Sequence, residues 1–548
     1  MPTMPLEALL REGRDALAAG RWAEARAAFE RAVPEDVDGE ARFGLATALW
    51  WSGEDRAGVA WCRQAYGRAL HAGEVGRAVQ CAVWLAITYK ADFADHAVAN
   101  GWLARADRLL AEAEPGPLLR AWVDVARAYR HPDLEVAEAL TTRALALARG
   151  VDVDLELVAL AQLGLVRVSR GQVEPGFALL DEAMAGAMAG EAATLDTVAY
   201  VACDLLTACE RASDLRRAVQ WCRVADEFTA TYGCPFLHAE CRIAHAGVLA
   251  DRGRWVDAAD ELHRALRATE AACPALHARA AVRLARLRVV QGRPEEAAEL
   301  LERLAPPPSS DATDDAAERD LATAELDLAR GAVATARRRL EARAAASSNA
   351  GVLALLAEVA RRSGDTELAG RTAARLRAMA AAAPHDERLA AVAVGAGPAS
   401  GSEDGDVARL DDVVVRWDAL DQPYLAARAR AQLADALASA DPGAAVALAR
   451  HALGTFEALG ARPDADRAAA LLRALGVRVG TGRRDGAALT ARERDVLHLL
   501  GLGLTNPEIA ARLHVSRKTA AHHVSHVLTK LGVRNRAEAA AFAARHGG

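Results

Sequence analysis

The sequence predicts an all-α protein: a solenoid of helical hairpins followed by a small C-terminal domain of four helices. Three observations support this fold class. Alanine, leucine, arginine and glutamate, all good helix formers, dominate the 548 residues, while aromatic residues make up only 4%. Turn-forming residues recur roughly every 39 positions over most of the chain. No run of alternating apolar and polar residues of the kind typical of strands stands out.

The predicted turns between paired helices fall at glycine or aspartate. They are Gly20, Gly53, Asp92, Asp133, Gly171, Asp214, Gly253, Gly292, Gly331 and Gly364, with further turns expected at Gly405 and near Asp441. A small residue follows each of the first ten turns by four or five positions: Ala25, Ala57, Ala97, Ala137, Gly176, Ala218, Ala258, Ala297, Ala336 and Ala369. A short turn forces two helices antiparallel, and the small residue lets their backbones approach. Each hairpin then leaves an apolar side that the next hairpin buries.

The segment GRWAEA at residues 20–25 is similar to a tetratricopeptide repeat, with its glycine, aromatic residue and alanine in register. Most of the spacings exceed the usual 34 residues, so we expect longer helices or looser loops. We expect helical repeats over 1–395 and again over 406–475, separated by the glycine-rich stretch GAGPASGSEDG. Residues 476–488 then form a flexible linker to a separate domain at 489–548.

That last segment contains three helix starts in quick succession. Thr490–Glu493 and Thr505–Glu508 both have the pattern of a capping box, and Pro507 suits the first turn of a helix. Ser516 is predicted to cap a third helix from Arg517 to Leu531. Its predicted inward face consists of Ala520, Val524, Val527, Leu528 and Leu531, and its outward face of Arg517, Lys518, Ala521, His522, Ser525 and Thr529. A helix with a cationic start and a slim outward face suits entry into the DNA major groove by its N-terminal end. A fourth, alanine-rich helix is expected from about Asn535.

The segment resembles the LuxR-type DNA-binding domain, which the NarL class of response regulators shares. The matching stretches are L-T-x-R-E at Leu489–Glu493, N-x-E-I-A at Asn506–Ala510, L-x-V-S-x-x-T at Leu513–Thr519 and H-V-x-x-V-x-x-K-L-G-V at His523–Val533. The resemblance implies that Ala521, His522 and Ser525 face bases, and that Lys518, Thr519, His523 and Lys530 lie near phosphates or brace the helix. With Arg517 these make up the predicted DNA-binding set. It also implies dimerisation through the fourth helix, for which we predict Ala537, Ala540, Ala541 and Ala544.

Two positions depart from the family pattern. Ala520 stands where a valine is frequent, and Ala521 where a lysine or arginine is frequent. We expect His522, Ser525 and contact of the Ala521 methyl group with thymine to replace the missing cationic contact.

The charge distribution supports this assignment. Residues 483–548 contain 11 Lys/Arg and 5 Asp/Glu, a balance of +6, so 1–482 hold the other 56 and 69, a balance of −13. Two of the three lysines in the chain, Lys518 and Lys530, belong to the predicted third helix. A basic tip on an acidic body offers a polyanion one productive face.

Two residue groups in the repeats have more than one interpretation. Cys234, His238, Cys241 and His245 share one predicted helix face, where they could bind a metal; since one face spreads its ligands over several turns, core packing is favoured. Seven of the ten tryptophans lie between Trp22 and Trp122, where packing between helices is favoured over a ligand or partner surface.

The leading hypothesis is a sequence-specific transcriptional regulator whose repeats sense a signal and control the C-terminal domain. The chain shows no P-loop, receiver or hydrolase pattern, so we predict no enzyme activity and no cofactor. The expected partners are double-stranded DNA, RNA polymerase, an unknown protein or small-molecule effector and a second copy of the chain on DNA. Without an apolar leader or spanning segment, a cytoplasmic location away from membranes is expected. The alternatives are a protein-interaction scaffold with incidental DNA binding and, less favoured by its outward face, a sigma-factor-like promoter reader.

Overall fold

A computed structural model describes residues 5–478 and 491–543, except 114–115, 132, 213, 271, 305–313, 347–348, 385, 398–402, 514–515, 532–535, 537 and 541–542. For residues 113, 314, 403–404, 491–495, 518, 522, 526 and 529–531 it describes the backbone alone. Over these residues the secondary structure is entirely helical, which confirms the predicted all-α class. The chain divides into two compact units, the repeat unit Met1–Leu471 and the C-terminal unit Leu472–Gly548.

The repeat unit is a succession of antiparallel helix pairs. The first seven pairs are α1 (Leu6–Ala18) and α2 (Trp22–Ala32), α3 (Glu40–Trp51) and α4 (Asp55–Ala72), α5 (Val75–Ala91) and α6 (His96–Ala113), α7 (Pro117–Ala128) and α8 (Leu134–Ala148), α9 (Val153–Ser169) and α10 (Val173–Met188), α11 (Leu195–Arg211) and α12 (Leu215–Tyr232), and α13 (Pro235–Asp251) and α14 (Trp255–Ala268). A short 3-10 turn, Val33–Glu35, lies between the first and second pairs.

The later helices continue the same pattern. They are α15 (Pro274–Val290) and α16 (Pro294–Glu302), α17 (Asp314–Ala329) and α18 (Val333–Ala346), α19 (Ala350–Arg362) and α20 (Thr366–Ala382), α21 (Glu387–Gly395) and α22 (Glu403–Ala419), α23 (Pro423–Leu437) and α24 (Pro442–Leu459), and α25 (Arg462–Ala474), which crosses the division between the two units.

The ten evenly spaced turns lie between paired helices as predicted, and Asp441 is the N-cap of α24. Several are glycines with a positive φ, such as Gly171 at 79° and Gly253 at 76°, a conformation that glycine adopts at little cost. The predicted turn at Gly405 is wrong, because this residue lies inside α22. Glycine spacing misplaced it: the connection precedes Glu403, where α22 begins.

The recurring small residue fills the contact between paired helices in eight of the ten predicted positions. Ala57 is half-buried and Ala97 is exposed, so these two predictions are wrong. Gly58 and Ala99 occupy the buried positions in those hairpins instead. A Cβ added at Gly58 would lie 2.9 Å from the carbonyl oxygen of Ala46, which shows how closely α3 and α4 approach. These hairpins therefore also have a small buried residue, although its distance from the turn along the sequence varies.

The repeat unit winds back on itself, so that hairpins far apart in sequence touch. Trp22 and Trp51 stack with ring centroids 4.4 Å apart, and the Trp22 indole N–H donates to the carbonyl of Tyr232. Trp50 lies 6.0 Å from Phe236 of α13, centroid to centroid. The second turn repeats this relation: Trp255 packs edge-to-face on Tyr424 at 5.2 Å. The helices from α3 to α13 thus form the first superhelical turn of the repeat unit, which is closed where α3 meets α13.

The tryptophans and cysteines of the repeats belong to this apolar interior. Of the seven N-terminal tryptophans, Trp50, Trp51 and Trp84 are buried in the largest core cluster, and the other four pack against it, as the packing interpretation predicts. All eight cysteines are buried and free. Within the residues that the structure describes, no group of three His, Cys, Asp or Glu side chains is placed to hold a metal ion. Nor does any described helix combine the length and apolarity needed to cross a membrane.

Two facing glycines allow α9 and α10 to approach closely. A Cβ at Gly176 would lie 2.6 Å from the Gly164 carbonyl oxygen, and one at Gly164 would lie 2.7 Å from that of Gly176. We predict that Gly176→Ala separates the two helices and destabilises the protein by about 1–3 kcal/mol, the usual cost of overpacking. Gly454→Ala is the matched control, since this exposed glycine of α24 has no neighbour within 4 Å of the added Cβ. It should stabilise by up to about 1 kcal/mol through helix propensity. Thermal unfolding followed by circular dichroism compares the two, and equal shifts would contradict the close-contact explanation.

Several buried carboxyl groups of the first turn give a second prediction. Burial raises the pKa of Asp196 to about 6 and that of Asp204 to about 8, the latter despite the attraction of Arg130 and Arg211 and with a further rise from Glu240. In an unfolded chain an aspartate titrates near about 3.9. The folded protein therefore holds protons that the unfolded chain has released, so their stabilisation is complete below about pH 4 and is lost as the pH rises through 6 and 8. We expect the melting temperature to fall between pH 5.5 and 8.5, and Asp204→Asn to reduce that slope.

Candidate nucleic-acid interface

The C-terminal unit contains three described helices of the predicted helix-turn-helix. They are α26 (Ala491–Gly501), α27 (Asn506–Arg512) and α28 (Arg517–Leu531), and residues 536, 538–540 and 543 are also helical. These bounds agree with the three helices predicted from the sequence. The first predicted capping box, Thr490–Glu493, lies outside the described side chains.

A small apolar core fixes the three helices against one another. Its buried members are Val496, Leu499, Leu500, Ile509, Ala510, Ala520, Val524, Val527 and Ala539. Leu497, Leu504, Leu513 and Leu528 pack around it. The predicted inward face of α28 is confirmed at Ala520, Val524, Val527 and Leu528, while the side chain of Leu531 lies outside the described part. Because α28 uses this face for packing, its opposite face is turned away from the core.

The start of α27 is held by a side-chain cap. The Glu508 carboxylate accepts hydrogen bonds from both the backbone N–H and the hydroxyl group of Thr505, each at 2.6 Å. These hydrogen bonds lower the pKa of Glu508, and nearby Arg536 lowers it further. A carboxylate also interacts favourably with the positive end of the helix dipole. The second predicted capping interaction is thereby confirmed.

The start of α28 is capped by Ser516, as predicted. Its Oγ accepts the backbone N–H of Thr519 at 3.1 Å and shares a hydrogen bond of 2.7 Å with the Thr519 hydroxyl. The carbonyl of Ser516 also accepts the N–H of Ala520 at 2.9 Å, the first bond of the helix. The cap therefore fixes the direction in which the chain enters α28.

The predicted DNA-binding residues fall into three groups. Arg517, Thr519 and Ser525 are exposed. Ala521 and His523 are half-buried, at the border between the packed and the outward faces. The side chains of Lys518, His522 and Lys530 lie outside the described part, although the backbone at these positions is helical. The structure thus brings five of the eight onto one capped helix with described side chains.

The helical residues beyond 535 pack against the end of α26. A Cβ at Gly501 would lie 2.9 Å from that of Ala543, and the Arg536 guanidinium donates to the carbonyl of Leu504. Sequence reasoning did not identify these contacts or the burial of Leu499 and Ala539. The apolar run Leu497-His-Leu-Leu500 could have indicated that Leu499 is buried, whereas no feature of the neighbouring sequence distinguishes Arg536. Of the predicted dimerisation residues, Ala540 is half-buried, and Ala537, Ala541 and Ala544 lie outside the described residues.

Comparison with known proteins locates this domain in a family. Residues 487–543 match the family model described as bacterial regulatory proteins, luxR family. The transcriptional regulatory protein LnrK of Bacillus subtilis is 48% identical over 59 residues, which are 11% of this chain and 27% of LnrK. The nitrate/nitrite response regulator protein NarL of Escherichia coli K12 is 45% identical over 62 residues, 11% of this chain and 29% of NarL. The chain thus spans less than a third of the length of these relatives.

Among solved structures, the crystal structure of the APC/C hetero-tetramer Cut9–Hcn1 aligns with 85% of this chain and 96% of its own, at 13% sequence identity and a TM-score of 0.32. So low a score carries no argument, and the repeat architecture rests on the helix pairs described above. For the C-terminal segment, the three helices, their caps and the matched residues agree. Residues 487–543 match the luxR family of bacterial regulatory proteins, and the helices described within this range are those of a helix-turn-helix domain.

Proposed function

We propose that this protein is a sequence-specific DNA-binding transcriptional regulator in which α28 is the recognition helix. The observation that carries the proposal is the capped start of α28. Ser516 fixes the first turn, and Ala520, Val524 and Val527 hold the inward face in the core. Arg517, Thr519 and Ser525 are left exposed. A helix presented by its N-terminal end with polar and cationic residues has the dimensions and chemistry to enter the major groove.

The helical period supports a division of labour along α28. At 3.6 residues per turn, positions 518 and 522 share the face of Ser525, opposite the packed positions 520, 524 and 527. Position 522 with Ser525 would then read base edges. Lys518 at the start and Lys530 near the end would approach phosphates on the two sides of the groove. The excess of basic over acidic residues in 483–548 supplies the general attraction to DNA.

The remaining partners are part of the same proposal. The repeat unit senses a signal, protein or small molecule, and controls access of the C-terminal domain to DNA and thereby to RNA polymerase. The chain acts in the cytoplasm as a homodimer on DNA, paired through Ala537, Ala540, Ala541 and Ala544. Support for the dimer surface is the small size of these residues, which permits close helix approach.

Substitutions along α28 test the division of labour. We expect Lys518→Ala and Lys530→Ala to weaken binding to many duplex sequences alike and each to reduce the dependence on salt by about 0.9 log units per log unit of salt. His522→Ala and Ser525→Ala should instead change which sequence is preferred, because they remove contacts to bases. Fluorescence anisotropy with a duplex selected from a random library, and with an unrelated duplex, measures both effects.

The control for these variants is Arg68→Ala, which removes an exposed cation from α4 of the repeat unit. It should leave affinity and salt dependence unchanged. If all four α28 variants bind like the wild type, α28 is not the recognition helix. If the wild type binds no duplex, the alternative of a protein-interaction scaffold takes the place of the proposal.

The Ser516 cap gives an independent prediction. Ser516→Ala removes the acceptor for the Thr519 N–H and should cost about 1 kcal/mol of stability at the start of α28. Amide hydrogen exchange in residues 517–520 should accelerate about fivefold, and DNA affinity should fall. Ser516→Asn, whose side chain can also cap, is the matched control and should keep slow exchange. Equal exchange in the two variants would show that the cap does not hold α28.

A further inference from the structure

The first turn of the repeat unit surrounds one internal cavity. Six helices, each the first of its pair, meet around it: α3, α5, α7, α9, α11 and α13. The cavity has a volume of about 30 Å³, which exceeds the roughly 10–15 Å³ that one water molecule needs. It therefore has room for a group of one or two heavy atoms, such as the N–H end of an ammonium group. Because α13 closes the ring against α3, the cavity exists only in the folded superhelix.

The walls of the cavity are mainly aromatic. Five rings line it, those of Trp50, Trp122, Tyr129, Tyr200 and Phe236. The negative faces of aromatic rings attract a cation, and a cage of several rings is the arrangement that binds ammonium groups. Aromatic packing alone would be satisfied by an apolar lining, but polar residues stand among these rings.

Asp92 and Gln162 belong to this lining, and each has a buried side-chain oxygen without a hydrogen-bond partner. The Trp50 indole N–H donates to Oδ2 of Asp92 at 2.8 Å, whereas Asp92 Oδ1, fully buried, has no hydrogen-bond donor. The Oε1 atom of Gln162 is also buried without a donor. Buried polar atoms without a hydrogen-bond partner are costly, and each of these two oxygens can accept an N–H from a bound ligand. Asp204, likewise buried, adds a second carboxyl group to the lining.

Arg130, whose charge lowers the pKa of Asp92, does not neutralise this site by itself. Arg130 is engaged by Asp315 at 3.3 Å and is also attracted by Glu240. We propose that the cavity is a binding site for a small organic cation, an ammonium group with at least one N–H, held between the aromatic rings and hydrogen-bonded to Asp92 and Gln162. The binding does not depend on the proposed DNA-binding function. If that function holds, this is the signal to which the repeat unit responds.

The ionisation of Asp92 should make cation binding depend on pH. Burial and the neighbouring Asp55 raise the pKa of Asp92 well above its ordinary value, against the opposing effects of Trp50 and Arg130. The other titratable groups that interact with Asp92 are Tyr200, Cys234 and Cys273. An ammonium ion favours the charged carboxylate, so its binding should release a proton. The apparent affinity should then rise with pH as long as the ligand itself stays protonated.

Titration calorimetry and tryptophan fluorescence of the full-length protein test the proposal, with methylammonium and dimethylammonium chloride as probes. We expect saturable binding, proton release seen as a heat that depends on the buffer, and a change in tryptophan emission. Methanol, which has no charge, should not bind at the same concentration. Tetramethylammonium, which has no N–H, should bind at least tenfold more weakly than dimethylammonium.

Two variants assign the binding to this cavity. Asp92→Asn should weaken dimethylammonium binding about tenfold or more and reduce the proton release to what Asp204 supplies, since it removes the charged acceptor. Gln162→Leu, which leaves Asp92 in place, should weaken binding but keep the proton release. The matched control is Asp196→Asn: Asp196 also accepts an indole N–H, from Trp51 at 2.6 Å, but does not line the cavity, so binding should be unchanged.

No binding, binding only of inorganic potassium, or equal loss in Asp196→Asn and Asp92→Asn would overturn the proposal. DNA binding is measured separately on the same samples. A failure of the cation-binding proposal can therefore be distinguished from a failure of the DNA-binding proposal.

Discussion

The repeat unit depends on how closely the two helices of a hairpin can approach. Where Gly164 and Gly176 face each other, the backbones themselves are in contact, and in most other hairpins a buried alanine takes that place. Each hairpin packs on the next, and the unit winds back so that Trp50 of α3 meets Phe236 of α13. Contacts between residues more than two hundred positions apart, such as Trp22 with Tyr232, therefore follow from a local constraint.

Closure of the first turn places polar groups where water does not reach them easily. Lys90 illustrates how the structure accommodates such a group: its Nζ donates to the carbonyls of Ala126 at 2.9 Å and Tyr129 at 3.0 Å, at the C-terminal end of α7. A cation at that end stabilises the helix dipole, although burial lowers the pKa of Lys90 to about 8. Asp92, in contrast, keeps an oxygen without a donor. Gln162 of the same cavity also has an oxygen without a donor, so the two acceptors distinguish the cavity lining from the satisfied environment of Lys90.

The C-terminal unit has far fewer residues than the repeat unit, and helix caps and one small core hold its helices in place. A short helix such as α27 cannot be stable alone, and its order derives from the Thr505–Glu508 cap and from burial of Ile509 and Ala510. The same core that fixes α27 holds one face of α28, so that only the other face is open to a ligand. The strength of the core and the direction of α28 are thus linked, because a weaker core would hold this helix less firmly.

Much of this protein could be predicted from its sequence. Helix-forming composition, regular turns and caps such as Ser516 determined the all-α class, the hairpin spacing and the three helices of the helix-turn-helix, because each depends on residues close together in the chain. Glycine spacing alone misplaced the turn at Gly405, and the small-residue offset failed at Ala57 and Ala97. The tertiary structure alone decided which helices close the first turn, that Arg536 holds the Leu504 carbonyl, and that Asp92 lines a cavity with five aromatic rings. Such contacts join residues far apart in sequence, and their geometry comes from the summed tilt of many hairpins, which no local pattern records.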